Sequence, residues 1–261
     1  MTAPNITATH AFSTRFGGVS SGIFASLNLG LNTDDDLSNV KENYKRLCDA
    51  ISASNNAVNI SCDEIVFSNQ VHGTHIRTVT DSDCGALFTP GKPQADGLIT
   101  NTPGTALMVF TADCVPILLH DPLTGTISAV HAGWRGTAAG IAGIAVQKMI
   151  TDFGCDPKNI KAAIGPCISA CCYEVGSDVA DSLQKAFCDV DIHKIPKQEN
   201  ENIKETKYKV DLKEYNRLIL FKAGLRDILV SDECTCCSND KYWSHRFTKG
   251  KRGSQVSVIK I

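Results

Sequence analysis

The stretch from Thr105 to Gly154 constrains the fold of this chain more than any other. It reads TALMVFTADCVPILLHDPLTGTISAVHAGWRGTAAGIAGIAVQKMITDFG. Apolar runs on either side of TADC predict two buried strands, and the turn sequence DPLTG predicts a third strand that runs into His131. After Gly136, small residues at helical spacing predict a helix that begins near Thr137 and ends at Gly154.

The rest of the chain alternates between short strand and helix patterns. We predict strands in HAFST, EIVFSN, HIRTVT, IKAAIG, RDILVS and QVSVIKI, and helices in LSNVKENYKRLCDAI, SDVADSLQKAF and LKEYNRLILFKAG, with Ser38 as the first N-cap. The longest polar stretch, residues 194–207, is interpreted as an exposed loop because apolar periodicity resumes on both sides. The sequence therefore predicts a single domain over residues 1–261, with an α/β or α+β layered fold.

Composition excludes several function classes. The chain has 261 residues and a formal net charge of −2, which gives no reason to expect a nucleic-acid or membrane partner. The N-terminus has neither a basic nor an apolar region typical of a secretory signal, so we expect a cytoplasmic location. Among twelve cysteines, the clusters CISACC and CTCC could bind zinc. Neither contains two Cys-x-x-Cys pairs, which favours ordinary reduced thiols.

Three potential metal ligands follow predicted strands. His72 lies in QVHG, Cys114 lies in TADC beside Asp113, and His131 begins HAGWRG. Two imidazoles and a thiolate can hold zinc with a fourth position open to water, as in catalytic sites. Spacing alone leaves two alternatives open: Cys114 as a nucleophile with a histidine base, or a core cysteine with surface histidines.

The HAGWRG segment also has the composition of an anion site. Unpaired amides at the start of the following helix would attract an anion, and Gly133 and Gly136 would let it approach the backbone. Arg135 would add a charge-assisted contact, and Arg15 in STRFGGVS could do the same. The alternative is that the glycines only permit a turn and the arginines are solvated. The SHRFTKGKRG segment, with Arg246 and Arg252, is interpreted as a solvated hairpin tip.

Taken together, these motifs resemble a known family. TRFGGVS, LNLG, QVHG, ADG, TADCVPILL, HAGWRGT, IGPCI, CYEVG and SHR occur in the order typical of the YfiH, or laccase-domain, family, and cover the chain from about His10 to its end. One departure lies in the tail, where Phe247 stands in place of a second arginine. The resemblance implies a single-domain α/β fold with mixed sheets sandwiched between helices. It also implies a metal site formed by His72, Cys114 and His131.

The resemblance implies two kinds of activity. Family members are described as copper-dependent polyphenol oxidases, and also as enzymes that phosphorolyse adenosine, inosine and methylthioadenosine and deaminate adenosine. We predict the phosphorylase with deaminase activity at a zinc site, with copper as the alternative metal, and a monomer or homodimer that binds a purine nucleoside and phosphate. The chain lacks the His-x-His pairs of multicopper oxidases, which disfavours laccase chemistry. A metal-stabilised binding protein without turnover is the third hypothesis.

Roles follow for the remaining candidates. Deamination needs a proton shuttle, and Asp113 is the nearest carboxylate in sequence, although it could equally turn the strand end. Phosphorolysis needs a cradle for phosphate, for which Arg135 and Arg15 are the cationic candidates and Gly133 and Gly136 the backbone ones.

Overall fold

A computed structural model describes residues 1–54, 58–187, 193–194 and 206–261. Within these ranges the strands are β1 (Thr9–Phe12), β2 (Ile65–Val66), β3 (Ile76–Thr78), β4 (Gly97–Thr100), β5 (Ala106–Thr111), β6 (Val115–Asp121), β7 (Thr126–Ala132), β8 (Lys161–Ile164), β9 (Glu174–Val175), β10 (His193–Lys194), β11 (Tyr208–Lys209), β12 (Asp227–Val230) and β13 (Gln255–Lys260). The helices are α1 (Leu37–Ser54), α2 (Trp134–Ala138), α3 (Ile141–Phe153), α4 (Ser177–Ala186), α5 (Leu212–Lys222) and α6 (His245–Thr248).

Two mixed sheets form the centre of the fold. The larger has the order β12-β8-β6-β7-β4-β3, and the smaller has the order β1-β13-β5-β2. The hairpin of β6 and β7 is antiparallel, as the DPLTG turn predicts, whereas β12 with β8 and β3 with β4 are parallel. A third, short sheet joins β10, β11 and β9. This mixture of pairings confirms the predicted α/β architecture.

The two main sheets pack face to face, and each has helices on its outer face. Leu107 and Val109 of β5 lie in an apolar cluster with Leu118 of β6, between the sheets. Alternate residues point the other way, so that Met108 packs in a second cluster with Tyr44 of α1. Because both faces of β5 are buried, its sequence is a continuous apolar run instead of an alternating one.

Helices α3 and α5 cover the outer face of the larger sheet. Ile117 and Val130 of this sheet share an apolar cluster with Ala145 and Met149 of α3 and with Ile219 of α5. The layers are therefore α1, the smaller sheet, the larger sheet, and α3 with α5. This order agrees with the mixed sheets between helices that the resemblance implies.

Two helix starts differ from the sequence predictions. Helix α1 begins at Leu37, so Ser38 lies inside it, and the Asp36 carboxylate accepts a hydrogen bond from the Ser38 amide at 2.8 Å. The helix expected near Thr137 begins three residues earlier as the short α2, because Gly133 already has the extended backbone of an N-cap. Gly154, with φ of 68°, ends α3 as predicted.

The single domain over residues 1–261 is retained as a proposal. It is supported by the cluster between the sheets, which includes both Ala3 and Ile259. The polar stretch 194–207, interpreted as a loop, lies for the most part outside the described residues, since 195–205 are not among them. No helix in the described part of the chain is long and apolar enough to cross a membrane.

Candidate metal centre

The fold brings His72, Cys114 and His131 together. His72 lies between β2 and β3, Cys114 lies in the short connection between β5 and β6, and His131 lies in β7 opposite Pro116 of β6. Their potential ligand atoms all lie within 4.8 Å of one another. The distance from Cys114 Sγ to His72 Nε2 is 3.8 Å, and the two imidazole rings are nearly perpendicular, at 86°. Two strand connections and one strand end thus meet at one point.

Asp96 holds two of these ligands in place, and sequence reasoning assigned it no role. Its fully buried carboxylate accepts hydrogen bonds from the amides of Val71, His72 and Gly73, at 3.2, 2.8 and 2.7 Å. It also accepts one from His131 Nδ1 at 2.9 Å. Because Nδ1 donates to Asp96, Nε2 of His131 is left to bind a metal, as in the carboxylate–histidine–metal arrangement. The only signal in the sequence was the ADG motif.

The electrostatics of the site favour a thiolate. Burial alone would raise the pKa of the Cys114 thiol, but the charge and hydrogen bonds of His131 and His72 lower it to about 6. Burial would likewise lower the pKa of His131, whereas the Cys114 thiolate and Asp96 raise it to about 9. Without metal, the two residues therefore form a thiolate–imidazolium pair near neutral pH. Metal binding displaces the imidazolium proton.

Gly133 and Gly136 make room for protein atoms. A Cβ at Gly133 would lie 2.8 Å from His72 Cδ2 and 3.4 Å from Cys114 Sγ, so that any other residue would displace the side chain of His72. A Cβ at the buried Gly136 would lie 3.1 Å from the Gly73 carbonyl oxygen. The predicted approach of phosphate to these glycines does not match this geometry, because protein atoms already fill the space.

Asp113 makes the contacts of the structural alternative to proton transfer. It has a φ of 86° and is buried, and its Oδ1 accepts a hydrogen bond from Thr235 Oγ1 at 2.7 Å. Its Oδ2 accepts another from the Arg246 amide at 2.6 Å. Since both oxygens are engaged, Asp113 attaches the segment after β12 to the connection that carries Cys114.

Neither predicted anion-binding arginine lies on the wall of the cavity beside the triad. The Arg15 guanidinium donates to the carbonyl oxygens of Ala25 and Asn239 and lies 4.0 Å from the ring centroid of Trp243. These donors bind backbone carbonyl oxygens, and Arg15 thereby connects two segments that are distant in the sequence. Arg135 is exposed and stacks on Trp134, 4.3 Å from the ring centroid.

A cavity of about 670 Å³ adjoins the metal triad. Its wall includes all three triad residues and Arg252, which the sequence analysis placed at a solvated hairpin tip. The Arg252 Nη1 donates to the carbonyl oxygen of Gly253 and to Ser254 Oγ. Its Nε is buried without a hydrogen-bond partner among the described residues, as is Oγ1 of Thr111 on the same wall. Buried polar atoms of this kind are normally satisfied, so each of these two has capacity for one more hydrogen-bond partner.

Comparison with known proteins identifies the family. Residues 9–261 match the family described as multi-copper polyphenol oxidoreductase laccase. Purine nucleoside phosphorylase YlmD of Geobacillus stearothermophilus is 39% identical over 260 residues, which cover 97% of this chain and 89% of that protein. A purine nucleoside phosphorylase of Deinococcus radiodurans is 37% identical over 257 residues, covering 98% and 90%. The crystal structure of Geobacillus stearothermophilus YlmD superimposes with a TM-score of 0.87 at 38% identity, over 99% of this chain and 93% of that one. The chain therefore belongs to this laccase-like family, which includes relatives named purine nucleoside phosphorylase.

Proposed function

We propose that this protein is a purine nucleoside phosphorylase that cleaves adenosine, inosine or methylthioadenosine with phosphate. One observation carries the proposal: the metal triad and the half-buried Arg252 line the same cavity. The volume of about 670 Å³ is in the range of small-molecule sites and has room for a nucleoside and an anion together. The names of the relatives support the same substrate class.

Arg252 is the residue that we assign to phosphate. The unpartnered Nε of its guanidinium can donate to a phosphate oxygen while Nη1 stays bound to Gly253 and Ser254. Such a bond holds phosphate and stabilises the charge that it carries as it attacks the ribose carbon. Arg252 thus takes the phosphate-binding role that was predicted for Arg15 and Arg135, although it lies more than 100 residues further along the chain.

The aromatic residues of the cavity wall suit a purine base. Phe67 and Phe110 form an edge-to-face pair with ring centroids 5.2 Å apart, and Phe88 lines the same cavity. Aromatic rings offer a flat apolar surface for a base, and Thr111 Oγ1 offers a hydrogen bond to the ligand. The wall therefore combines apolar contact for the base with polar contact for the sugar and phosphate.

The donor set fits zinc. Two imidazoles and a thiolate are typical ligands of catalytic zinc, and Asp96 orients one of them. A copper centre of similar composition usually has an axial methionine, and none of the residues described on the cavity wall is a methionine. Histidines form no second ligand group in the described ranges, as multicopper oxidation would require. When bound, zinc with an open position supplies a Lewis acid and a water of pKa near 7.

Adenosine deamination is proposed as a second activity of the same cavity. The hydroxide that zinc supplies suits attack on the purine ring, and the triad lies on the wall that the base would contact. We assign the proton shuttle to a group other than Asp113 or Asp96, since every oxygen of both carboxylates already accepts a hydrogen bond from the protein.

Incubation with inosine, with and without phosphate, tests the proposal. We expect hypoxanthine and ribose 1-phosphate only when phosphate is present. Arg252→Ala should raise the KM for phosphate about ten- to a hundred-fold, because hydrogen bonds to charged groups contribute about 1.5–3 kcal/mol. The matched control is Arg46→Ala, an exposed arginine of α1 paired with Glu42. Base release that does not depend on phosphate, or phenol oxidation without base release, would contradict the proposed reaction.

A further inference from the structure

Four cysteines outside the nucleoside cavity form a second cluster. Cys171 and Cys172 lie between β8 and β9, whereas Cys234 and Cys237 follow β12. All four Sγ atoms lie within 4.8 Å of one another. Cys237 Sγ is 3.5 Å from Cys171 Sγ and 3.4 Å from Cys172 Sγ, although these residues are 66 and 65 positions away in the chain. The cluster therefore exists only through the tertiary fold.

These distances suit a shared metal ion better than a disulfide. A disulfide joins two sulfurs at about 2.05 Å, and each sulfur has one partner. Cys237 Sγ instead has two neighbours at nearly equal distances. A tetrahedral zinc ion with four bonds of about 2.3 Å separates its sulfurs by about 3.8 Å. The two contacts of Cys237 are a few tenths of an ångström shorter than this separation, and all other pairs lie within 4.8 Å, so movements of about 1 Å or less are needed.

The backbone around Cys234 is arranged as in zinc-binding turns. Cys234 and Cys237 have the Cys-x-x-Cys spacing, and the Ser238 amide donates to the Cys234 carbonyl oxygen at 2.9 Å, which closes the turn. The Ser169 amide donates to Cys234 Sγ at 3.4 Å, from the segment that carries the other cysteine pair. Amides that donate to sulfur stabilise a thiolate, the form that binds metal. The cluster thus has both its spacing and its donors in place.

We propose that Cys171, Cys172, Cys234 and Cys237 bind a structural zinc ion, distinct from the metal of the triad. Protein sulfurs fill all four positions, so the ion has no open site for a substrate, which is the mark of a structural centre. Its binding releases the thiol protons. The sequence favoured reduced thiols without a metal, because neither cysteine cluster is a zinc motif by itself. In the fold the two pairs lie together and offer four sulfurs to one ion, so the proposal replaces that expectation.

The zinc ion stabilises the segment that supports the active site. Thr235, which lies inside the Cys-x-x-Cys turn, donates through its amide to the Cys167 carbonyl oxygen at 3.1 Å. The Thr235 hydroxyl donates to Asp113 Oδ1. The ion therefore connects the two segments at the point where they hold Asp113, next to Cys114. Loss of the ion should lower the stability of these two segments, while every group that we place in contact with substrate remains.

Zinc content in the full-length Cys114→Ala variant tests the proposal independently of the triad and of the enzymatic activity. We expect this variant, purified without chelator, to retain one zinc ion per chain, and to lose it when Cys171→Ser and Cys237→Ser are added. Cys236→Ser is the matched control in the same turn and should retain the ion. A metal-free Cys114→Ala protein, or loss of zinc in Cys236→Ser, would overturn the proposed ligand set.

A second measurement does not depend on whether the cysteine-to-serine variants fold. After cobalt replaces zinc in Cys114→Ala, the spectrum should show the strong thiolate charge-transfer bands of tetrahedral sulfur coordination. X-ray absorption at the zinc edge should give four sulfurs at about 2.3 Å. Peptide mapping without reduction should show no disulfide among the four cysteines. A mapped disulfide, or coordination by nitrogen and oxygen, would refute the zinc site and would leave the proposed phosphorylase activity untouched.

Discussion

At the scale of single residues, Asp96 supports the proposed metal centre at two of its three residues. It binds His131 directly and holds the backbone of His72 through consecutive amides, so one carboxylate positions two ligands. Burial alone would raise its pKa, but the hydrogen bonds from His131 and Gly73 lower it, and Asp96 stays ionised. The charge also increases the basicity of His131 as a ligand.

Asp96→Asn should reduce the affinity for zinc at the triad about ten- to a hundred-fold, as loss of such a supporting carboxylate typically does. The amide cannot accept all four hydrogen bonds and leaves His131 less strongly oriented. Competition with a chelator measures the dissociation constant. Asp121→Asn, at a buried aspartate at the far end of β6, is the control and should leave the affinity unchanged. Equal affinities in the wild type and Asp96→Asn would show that Asp96 does not support the metal.

At the scale of elements, the connection between β5 and β6 is held in place by the chain that follows β12. The carboxylate of Asp113 accepts hydrogen bonds from Thr235 and from the first turn of α6 at Arg246. The neighbouring Cys114 takes its position from this connection. Asp113, which the sequence suggested as a proton shuttle, thus joins these elements through its hydrogen bonds.

Asp113→Asn distinguishes these two roles. The amide can still accept from Thr235 but presents N–H groups to the Arg246 amide, so we expect a loss of about 1–3 kcal/mol in the free energy of unfolding. The kcat for adenosine deamination should fall by less than about ten-fold, because we assign no proton transfer to Asp113. Urea unfolding and steady-state kinetics measure the two quantities. Asp152→Asn, at an exposed aspartate of α3, should change neither. A kcat that collapses while stability is unchanged would restore the shuttle.

At the scale of the whole molecule, burial of His10 makes stability sensitive to acid. His10 Nε2 accepts a hydrogen bond from the Ala3 amide at 2.7 Å, and Nδ1 donates to the Ala8 carbonyl oxygen at 2.8 Å. The contact with Ala3 requires the neutral ring, because a protonated Nε2 cannot accept a hydrogen bond. Burial, the largest effect, lowers the pKa of His10 below its ordinary 6.5. The unfolded chain therefore binds this proton more readily than the folded one.

The stability that neutral His10 contributes is complete above pH 6.5 and is lost as the pH falls below that value. We expect the free energy of unfolding of the wild type to decline below this pH, and the decline to be shallower in His10→Gln. Denaturant titrations at a series of pH values measure both slopes. His245→Gln, at an exposed histidine, should retain the wild-type slope. Identical slopes in all three proteins would exclude His10 as the source.

Local patterns predicted most of the elements but not their starting residues. The hairpin of β6 and β7 was predicted correctly, because an apolar run, a turn and a second apolar run are neighbours in the chain. Ser38 was the wrong cap, since Asp36 is another side chain of capping type two residues earlier and the helix starts before Ser38. Short strands such as β2 are defined by their partner, here β5, and sequence periodicity cannot delimit them.

The sequence by itself determined the layered α/β class and the family, because motifs and periodicity are local properties, and the family resemblance implied the three triad residues. Only the tertiary structure decided what converges. It brought Nε2 of His72 to 3.8 Å from Sγ of Cys114, which lies 42 positions away in the chain. It placed Asp96 in hydrogen-bond contact with His131, and Arg252 on the wall of the cavity. It also joined two cysteine pairs into one cluster. Contacts between distant segments depend on sheet register and on the packing of layers, which no short stretch of sequence encodes.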